Sequence, residues 1–130
     1  TEINDPYGHP TGDAVIKYTA ECVRDSLRKS DLVARLGGDE LLGYLANPDP
    51  DYLSAVESRI HESISSNKER LRELLPDFTK TDEVLAKIGM TIGFAQMSHG
   101  DDFNKIYQRA DEELRRIKKE KGTERNDNER

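Results

Sequence analysis

The sequence predicts an α+β domain in which helices pack on the faces of a mainly antiparallel sheet. Three observations predict this class. Apolar residues recur at helical spacing in three long segments of the chain. Two short apolar runs are joined by a Gly-Gly turn, which is typical of a β-hairpin. The length of 130 residues suits one domain with one hydrophobic core.

The first helix is predicted from Asp13 to about Arg28. The residues before it, Thr1 to Gly12, are rich in turn formers. Asp13 can cap the helix, because its carboxylate can accept hydrogen bonds from the free amides of the first turn. The apolar stripe of this helix consists of Val15, Tyr18, Cys22, Val23 and Leu27.

The predicted hairpin has strands at Leu32 to Leu36 and at Leu41 to Leu45. The sequence Gly37-Gly38-Asp39-Glu40 forms the turn between them. A helix is expected from about Asp51, after a segment that contains two prolines, and it continues or restarts beyond Asn67 until Pro76 stops it. The core residues expected on its first part are Leu53, Val56, Ile60 and Ile64.

The next strand, or pair of strands, is predicted within Val84 to Met97. This prediction depends on the alternation of Ile88, Met90, Ile92 and Phe94 at period two. Asp101 or Asp102 then opens a final helix, whose buried stripe consists of Phe103, Ile106, Tyr107, Ala110, Leu114 and Ile117. Residues 122–130 are polar and predict a frayed tail, so the expected domain covers residues 1–121.

Charge and composition limit the function. The net charge is −6 and the mean hydropathy is −0.85, so a role in coating nucleic acid is not expected. No apolar run approaches the roughly 18 residues of a membrane helix, which predicts no membrane contact by this segment. The single cysteine, Cys22, predicts a buried thiol in a reducing, cytoplasmic setting.

The hairpin turn carries the clearest chemical signal in the sequence. Two glycines bring bare backbone amides close to a ligand, and amides suit phosphate oxygens. Asp39 and Glu40 follow directly, and carboxylates suit Mg²⁺, which prefers hard oxygen ligands. The turn therefore predicts a metal–nucleotide site. The alternative is an ordinary Gly-Gly turn with a solvated acidic pair.

Four motifs in order resemble those of the GGDEF domain family of bacterial diguanylate cyclases. The first is Ile3-Asn4-Asp5-Pro6-Tyr7-Gly8-His9-Pro10-Thr11-Gly12-Asp13, and the second is the Gly37-Gly38-Asp39-Glu40 turn. The third is Ile92-Gly93 after a β run, where Thr91 takes the position of the family's serine. The fourth is the helix Ala110-Asp111-Glu112-Glu113-Leu114-Arg115-Arg116-Ile117-Lys118. Together they cover nearly the whole chain.

The resemblance implies a palm-like, ferredoxin-like fold shared with nucleotidyl cyclases and polymerases. It implies that two domains face each other as a homodimer through the active-site face, each holding one GTP. The two nucleotides condense into cyclic di-GMP, and pyrophosphate is released. Mg²⁺ or Mn²⁺ is the implied cofactor.

The resemblance also implies roles for individual residues. Asp39 and Glu40 would hold the metal and serve catalysis, and Gly37 and Gly38 would let the nucleotide lie against the backbone. The substrate-binding residues would further include Asn4 and Asp13, which read guanine, and Lys118, which neutralises the triphosphate. A carboxylate can accept from guanine N1–H and the exocyclic amine together. The alternatives are that Asp13 is only a helix cap and that Lys118 is a solvated surface residue.

Arg28 and Asp31 form an RxxD pair shortly before the hairpin. In the family this pair implies an inhibitory site for cyclic di-GMP. Arginine can form two parallel hydrogen bonds to a guanine edge or a phosphate. The alternative is a cation at a helix C-terminus, stabilised by the helix dipole, beside a loop aspartate. His9 is expected to be structural, and His61 and His99 are expected to be surface residues.

The resemblance further implies a first strand with a metal-binding aspartate, which would lie before Thr1. The chain is therefore interpreted as part of a longer protein that carries an N-terminal sensor or regulatory domain, and that protein can be membrane-anchored. Three hypotheses follow. The domain is a diguanylate cyclase with product inhibition, an inactive module that binds GTP or cyclic di-GMP and regulates a partner domain, or a structural dimerisation domain.

Overall fold

The structure, a computed structural model, describes residues 7–37, 40–96 and 99–129. Its elements are α1 (His9–Ser26), β1 (Leu32–Gly37), β2 (Glu40–Tyr44), α2 (Pro50–Ser66), α3 (Lys68–Leu74), a 3₁₀ turn (Phe78–Lys80), α4 (Thr81–Lys87) and α5 (Phe103–Glu129). The chain divides into two compact units, one ending at Ile88 and the other beginning at Gly89. Helices and an antiparallel sheet together confirm the α+β class.

Helix α1 begins four residues before the predicted start. Gly8 precedes it with φ of 89°, a left-handed conformation that glycine adopts without strain. Pro10 lies in the first turn, where its missing amide hydrogen costs no helical hydrogen bond. The prediction that Asp13 caps this helix is wrong, because Asp13 lies inside α1 and its side chain is exposed.

The core of the first unit lies between α1 and the helices that follow the hairpin. Tyr18 and Cys22 of α1 are buried, as are Ile64 of α2 and Leu71 of α3. The phenol of Tyr18 donates a hydrogen bond of 2.5 Å to the carbonyl oxygen of Ile64. Cys22 is free and buried, which confirms the predicted buried thiol.

Strands β1 and β2 form the predicted antiparallel hairpin. Leu32 pairs with Tyr44 at its base, and Gly37 pairs with Glu40 at its tip, with an irregularity between Arg35 and Gly37. Residues 38–39 lie outside the described part of the chain. These are the only two strands within the described residues, so the sheet seen there is smaller than the sequence predicts.

Helix α2 starts where turn chemistry predicts. The Asp49 carboxylate accepts a 2.7 Å hydrogen bond from the amide of Tyr52, and Pro50 occupies the first turn. Val56, Ile60 and Ile64 are buried as predicted, Leu53 is half-buried, and Tyr52 is buried although the sequence did not predict it. The helix ends at Ser66, and α3 restarts after Asn67, which confirms the restart alternative.

The strand predicted from Val84 is wrong over the described residues. Val84 lies in α4, fully buried, and Asp82 and Glu83 favour the start of this helix through the helix dipole. Residues 88–96 follow without regular secondary structure. Alternating side chains require an extended backbone, but a strand also requires a hydrogen-bonded neighbour. Met97 lies outside the described residues.

In the second unit, residues 89–96 contact α5. A Cβ atom at Gly93 would lie 3.2 Å from the backbone nitrogen of Leu114, so a larger residue there would push the helix backbone away by a few tenths of an ångström. Arg109 of α5 donates a 3.2 Å hydrogen bond to the Gln96 carbonyl and forms a bidentate ion pair with Asp101. Asp102 precedes the helix as predicted, and its carboxylate accepts a 2.9 Å hydrogen bond from the Lys105 amide. Instead of a frayed tail after Gly122, α5 continues to Glu129.

No helix built from the described residues is long and apolar enough to cross a membrane.

Candidate functional site

The structure describes some of the predicted site residues and not others. Asn4, Gly38 and Asp39 lie outside the described residues. Gly37 and Glu40 face each other across the turn as the last residue of β1 and the first of β2. Asp13 is exposed on α1, and Lys118 is exposed on α5 in the second unit.

The hairpin places the two flanking residues of the turn in register. Gly37 pairs with Glu40, so both described residues of the motif lie at the tip of the hairpin. Glu40 is half-buried. Within residues 7–37, 40–96 and 99–129, no three His, Cys, Asp or Glu side chains come close enough to hold a metal ion.

Arg28 and Asp31 are brought together at the base of the hairpin. The Asp31 amide donates 2.9 Å to the Arg28 carbonyl, which closes a turn between α1 and β1. The Asp31 side chain is 0% exposed and the Arg28 side chain is 40% exposed. The pair predicted from the RxxD spacing is thus a real contact, in which the carboxylate is buried and the guanidinium reaches the surface.

The Asp31 carboxylate accepts hydrogen bonds from three directions. Its Oδ2 atom accepts from the Arg28 amide at 3.0 Å and from the Tyr52 hydroxyl. Its Oδ1 atom accepts 2.8 Å from the Ala46 amide, just after β2. The guanidinium of Arg28 is more distant, at 3.4 Å from Oδ2 and 3.5 Å from Oδ1. Asp31 therefore links the end of α1, the hairpin and α2.

These contacts determine the charge of Asp31. Burial acts to raise the pKa of the carboxyl group, because it disfavours the charged form. Hydrogen bonds from the Tyr52 hydroxyl and from the amides of Ala46 and Arg28 oppose that effect. The net result lowers the pKa of Asp31 from 3.8 to about 2. Asp31 is consequently ionised at neutral pH.

Arg28 is held by three different groups. Its guanidinium carbon lies 3.9 Å from the centroid of the Tyr52 ring, a cation–π distance. Its Nη2 atom donates 2.5 Å to the Ala46 carbonyl. The hydrogen bond to Asp31 raises the pKa of Arg28 above its ordinary value. The cation is therefore permanent and fixed in position.

A polar groove of about 450 Å³ lies beside Arg28 between the ends of α1 and α2. A second arginine, Arg59, also lines it, and its guanidinium carbon lies 6.0 Å from the Tyr52 ring. The other lining residues are Asp25, Ser26, Leu27, Glu62, Ser63, Ser66 and Asn67. The two guanidiniums are matched in number by the carboxylates of Asp25 and Glu62, so the groove as a whole carries no net charge. Its arginines nevertheless offer paired donors to a phosphate group.

Tyr52 and Arg59 are site residues that the sequence did not predict. A signal was present, because the two are seven residues apart, which places them on one face of α2. The spacing does not show which face meets Arg28. His61 and His99 are exposed, as predicted for surface histidines.

Comparison with known proteins identifies relatives over nearly the whole chain. The family model described as "Diguanylate cyclase, GGDEF domain" matches residues 1–124. Probable diguanylate cyclase DgcT of Escherichia coli is 34% identical over 113 residues, which are 87% of this chain and 24% of that protein. Diguanylate cyclase DosC of Escherichia coli is 31% identical over 113 residues, 87% of this chain and 23% of that protein.

Diguanylate cyclase A of Treponema denticola is 31% identical over 115 residues, covering 86% of this chain and 28% of that protein. This chain therefore spans about a quarter of the length of these curated relatives. A solved GGDEF domain of Pseudomonas aeruginosa TpbB (YfiN) is 42% identical, with a TM-score of 0.46. The matched region is 50% of this chain and 38% of the solved chain.

Proposed function

Because the chain belongs to the diguanylate cyclase GGDEF domain family, we propose that it condenses two GTP molecules into cyclic di-GMP and releases pyrophosphate. The observation that carries this proposal is the hairpin, in which Gly37 at the end of β1 pairs with Glu40 at the start of β2. Transfer of a nucleotidyl group depends on positioning and on neutralising charge more than on covalent chemistry by the protein.

The hairpin contributes backbone and carboxylate groups to this reaction. Gly37 and Gly38 have no side chains, so a nucleotide can approach their backbone closely. Asp39 and Glu40 would hold Mg²⁺ or Mn²⁺, since carboxylate oxygens are the ligands these ions prefer. When bound, such an ion neutralises charge on the phosphates. Two domains, each with one GTP, would face each other in a homodimer.

Guanine recognition is assigned to Asn4 and Asp13. Asp13 has no capping role in α1, and its side chain is exposed, which supports a role in binding. A carboxylate accepts both guanine donors, whereas adenine offers no such pair. Lys118, exposed on α5, would neutralise the triphosphate.

The groove beside Arg28 is the proposed site of product inhibition. Arg28 and Arg59 supply two cations, which suits the two phosphodiesters of cyclic di-GMP. Asp31 is fully buried and its Oδ1 atom already accepts from the Ala46 amide, so its part in the site would be to hold the Arg28 guanidinium in place rather than to meet guanine.

The test is a turnover assay on the full-length gene product. With GTP and Mg²⁺, cyclic di-GMP should accumulate, measured by liquid chromatography and mass spectrometry. Asp39→Asn and Glu40→Gln should each lower the rate at least about 100-fold, the scale for losing one preorganised electrostatic group. Asp51→Asn is the matched control, since Asp51 is an exposed carboxylate on α2. A dimeric wild-type protein that forms no product would overturn the proposal.

An alternative function is a module that binds cyclic di-GMP without turnover and regulates an adjoining domain. The observation that favours it is the Arg28–Asp31 cluster, which is built from α1, the hairpin and α2. Calorimetry separates the two functions. The alternative predicts cyclic di-GMP binding that Arg28→Ala removes, together with an absence of product from GTP. It is excluded when product forms at a rate that Asp39→Asn abolishes.

The matched segment is about a quarter of each curated relative, which supports one further proposal. The domain works in the cytoplasm, where GTP is available, and an N-terminal sensor or regulatory domain controls it.

A further inference from the structure

We propose that Tyr52 is a positioning residue of the regulatory groove, where it holds Arg28 and Arg59 ready for a cyclic dinucleotide. This inference rests on the proposed product site. It goes beyond that site because it attributes part of the affinity for cyclic di-GMP to a buried residue that does not line the groove. Tyr52 is only 8% exposed, so it supports the groove from inside the fold.

The hydroxyl of Tyr52 acts in two directions. It donates a hydrogen bond to Asp31 Oδ2 and accepts one of 3.3 Å from the Arg28 amide. A phenol can do both, and phenylalanine can do neither. The hydroxyl thus shares this carboxylate oxygen with the Arg28 guanidinium, whose Nε donates to it over a long 3.4 Å.

The ring of Tyr52 lies next to both cations. The guanidinium carbon of Arg28 is 3.9 Å from the ring centroid, and that of Arg59 is 6.0 Å from it. Two like charges repel each other, and the negative face of the ring offsets part of that repulsion. Both arginines also line the groove, so the ring fixes the spacing of the two charges that a ligand meets.

The position of Tyr52 is itself fixed. Its amide donates 2.7 Å to the capping carboxylate of Asp49 at the start of α2. A tyrosine side chain has only two χ angles, and the hydrogen bond to Asp31 fixes its outer end. Little conformational entropy remains to be lost when a ligand binds, which favours tight binding by a preorganised groove.

Removing the hydroxyl and removing the ring should have separable effects. In Tyr52→Phe the ring remains, but Oδ2 of Asp31 loses a donor. The Arg28 guanidinium then moves towards the carboxylate and away from the groove. Loss of one well-made polar contact corresponds to about a tenfold weaker affinity for cyclic di-GMP. Tyr52→Leu removes both contributions and should weaken binding by about 100-fold.

The experiment is calorimetry of cyclic di-GMP with the full-length protein, alongside the KM for GTP in the same samples. The ratio of the product's dissociation constant to the KM should rise in the order wild type, Tyr52→Phe, Tyr52→Leu. General damage to the fold would change both constants together. Tyr44→Phe is the control, because Tyr44 is 48% exposed on the hairpin. An unchanged ratio in both Tyr52 variants would refute the inference.

Failure of the product site is distinguishable from failure of this inference. If the wild type does not bind cyclic di-GMP, the product site and the role of Tyr52 both fall. If the wild type binds, Arg28→Ala abolishes binding and both Tyr52 variants bind normally, only the role of Tyr52 falls. A measurement on the wild-type protein tests the proposal even when a variant does not fold. With 3-fluorotyrosine incorporated, the fluorine NMR resonance of Tyr52 should shift when cyclic di-GMP is added. A resonance that does not shift contradicts the proposal.

Discussion

Replacing Asp31 with asparagine should destabilise the first unit by removing the charge that three elements share. The variant keeps the shape of the side chain and one acceptor oxygen. Its amide group, however, is a donor placed among donors, namely the Arg28 amide at 3.0 Å, the Ala46 amide at 2.8 Å and the Tyr52 hydroxyl. At least one buried donor then loses its acceptor.

The magnitude follows from the pKa of Asp31. A fall from 3.8 to about 2 corresponds to about 2 kcal/mol of stability at neutral pH, at 1.36 kcal/mol for each pKa unit. A buried donor without an acceptor adds about 1 kcal/mol or more. The expected loss in the free energy of unfolding is about 3 kcal/mol, measured by urea denaturation and circular dichroism. Asp25→Asn, at an exposed position near the end of α1, should change stability little. A loss below about 1 kcal/mol for Asp31→Asn would refute the reasoning.

The same residue predicts a pH dependence whose sign can be derived. The folded-state pKa of Asp31 is depressed, so its stabilisation is complete above the unfolded value of 3.8. It is lost as the pH falls from there through about 2. The stability difference between the wild type and Asp31→Asn should therefore shrink by about 2 kcal/mol between pH 5 and pH 2. A difference that stays constant over that interval would show that Asp31 is not ionised through these contacts.

Three further predictions concern packing and surface charge, all measured by urea or thermal denaturation. Leu71→Ala removes a side chain that is 0% exposed and should cost about 2–5 kcal/mol, and a loss under 1 kcal/mol would contradict the burial. Gly93→Ala should cost about 1–3 kcal/mol because its new methyl group meets helix backbone, whereas Gly89→Ala, with open space around it, should be nearly neutral. Arg70→Met breaks the 2.8 Å surface ion pair with Glu21 and should lower the melting temperature slightly. Added salt should reduce the difference in melting temperature between the variant and the wild type. An effect as large as that of Leu71→Ala would contradict this prediction.

The elements that the sequence predicted well are those with local signals. The stripe from Val15 to Val23 specifies a helix because its spacing is helical along its whole length. Asp49 and Pro50 specify the start of α2 because capping and a fixed φ act within one turn. The hairpin follows from a glycine turn between two apolar runs, and the ends of both strands lie within one residue of the predicted bounds. Each of these signals acts over a few residues.

The predictions that failed depend on contacts between distant parts of the chain. Ile88, Met90, Ile92 and Phe94 alternate, but alternation does not supply the neighbouring strand that a ladder requires. Tyr52 and Leu53 are adjacent, and helical spacing does not decide which of the two is buried more deeply. The decision comes from Asp31, 21 residues earlier, whose buried carboxylate needs the Tyr52 hydroxyl. The RxxD spacing predicted the Arg28–Asp31 pair. Only the tertiary structure shows that Tyr52 lies next to Arg28 and Arg59.

The most direct measurement is the stoichiometry of the reaction, with pyrophosphate and cyclic dinucleotide quantified in one sample of the full-length protein. A diguanylate cyclase should release two pyrophosphates for each cyclic di-GMP formed from GTP, and it should consume little ATP under the same conditions. Pyrophosphate released without a cyclic product, or ATP consumed as fast as GTP, would contradict it.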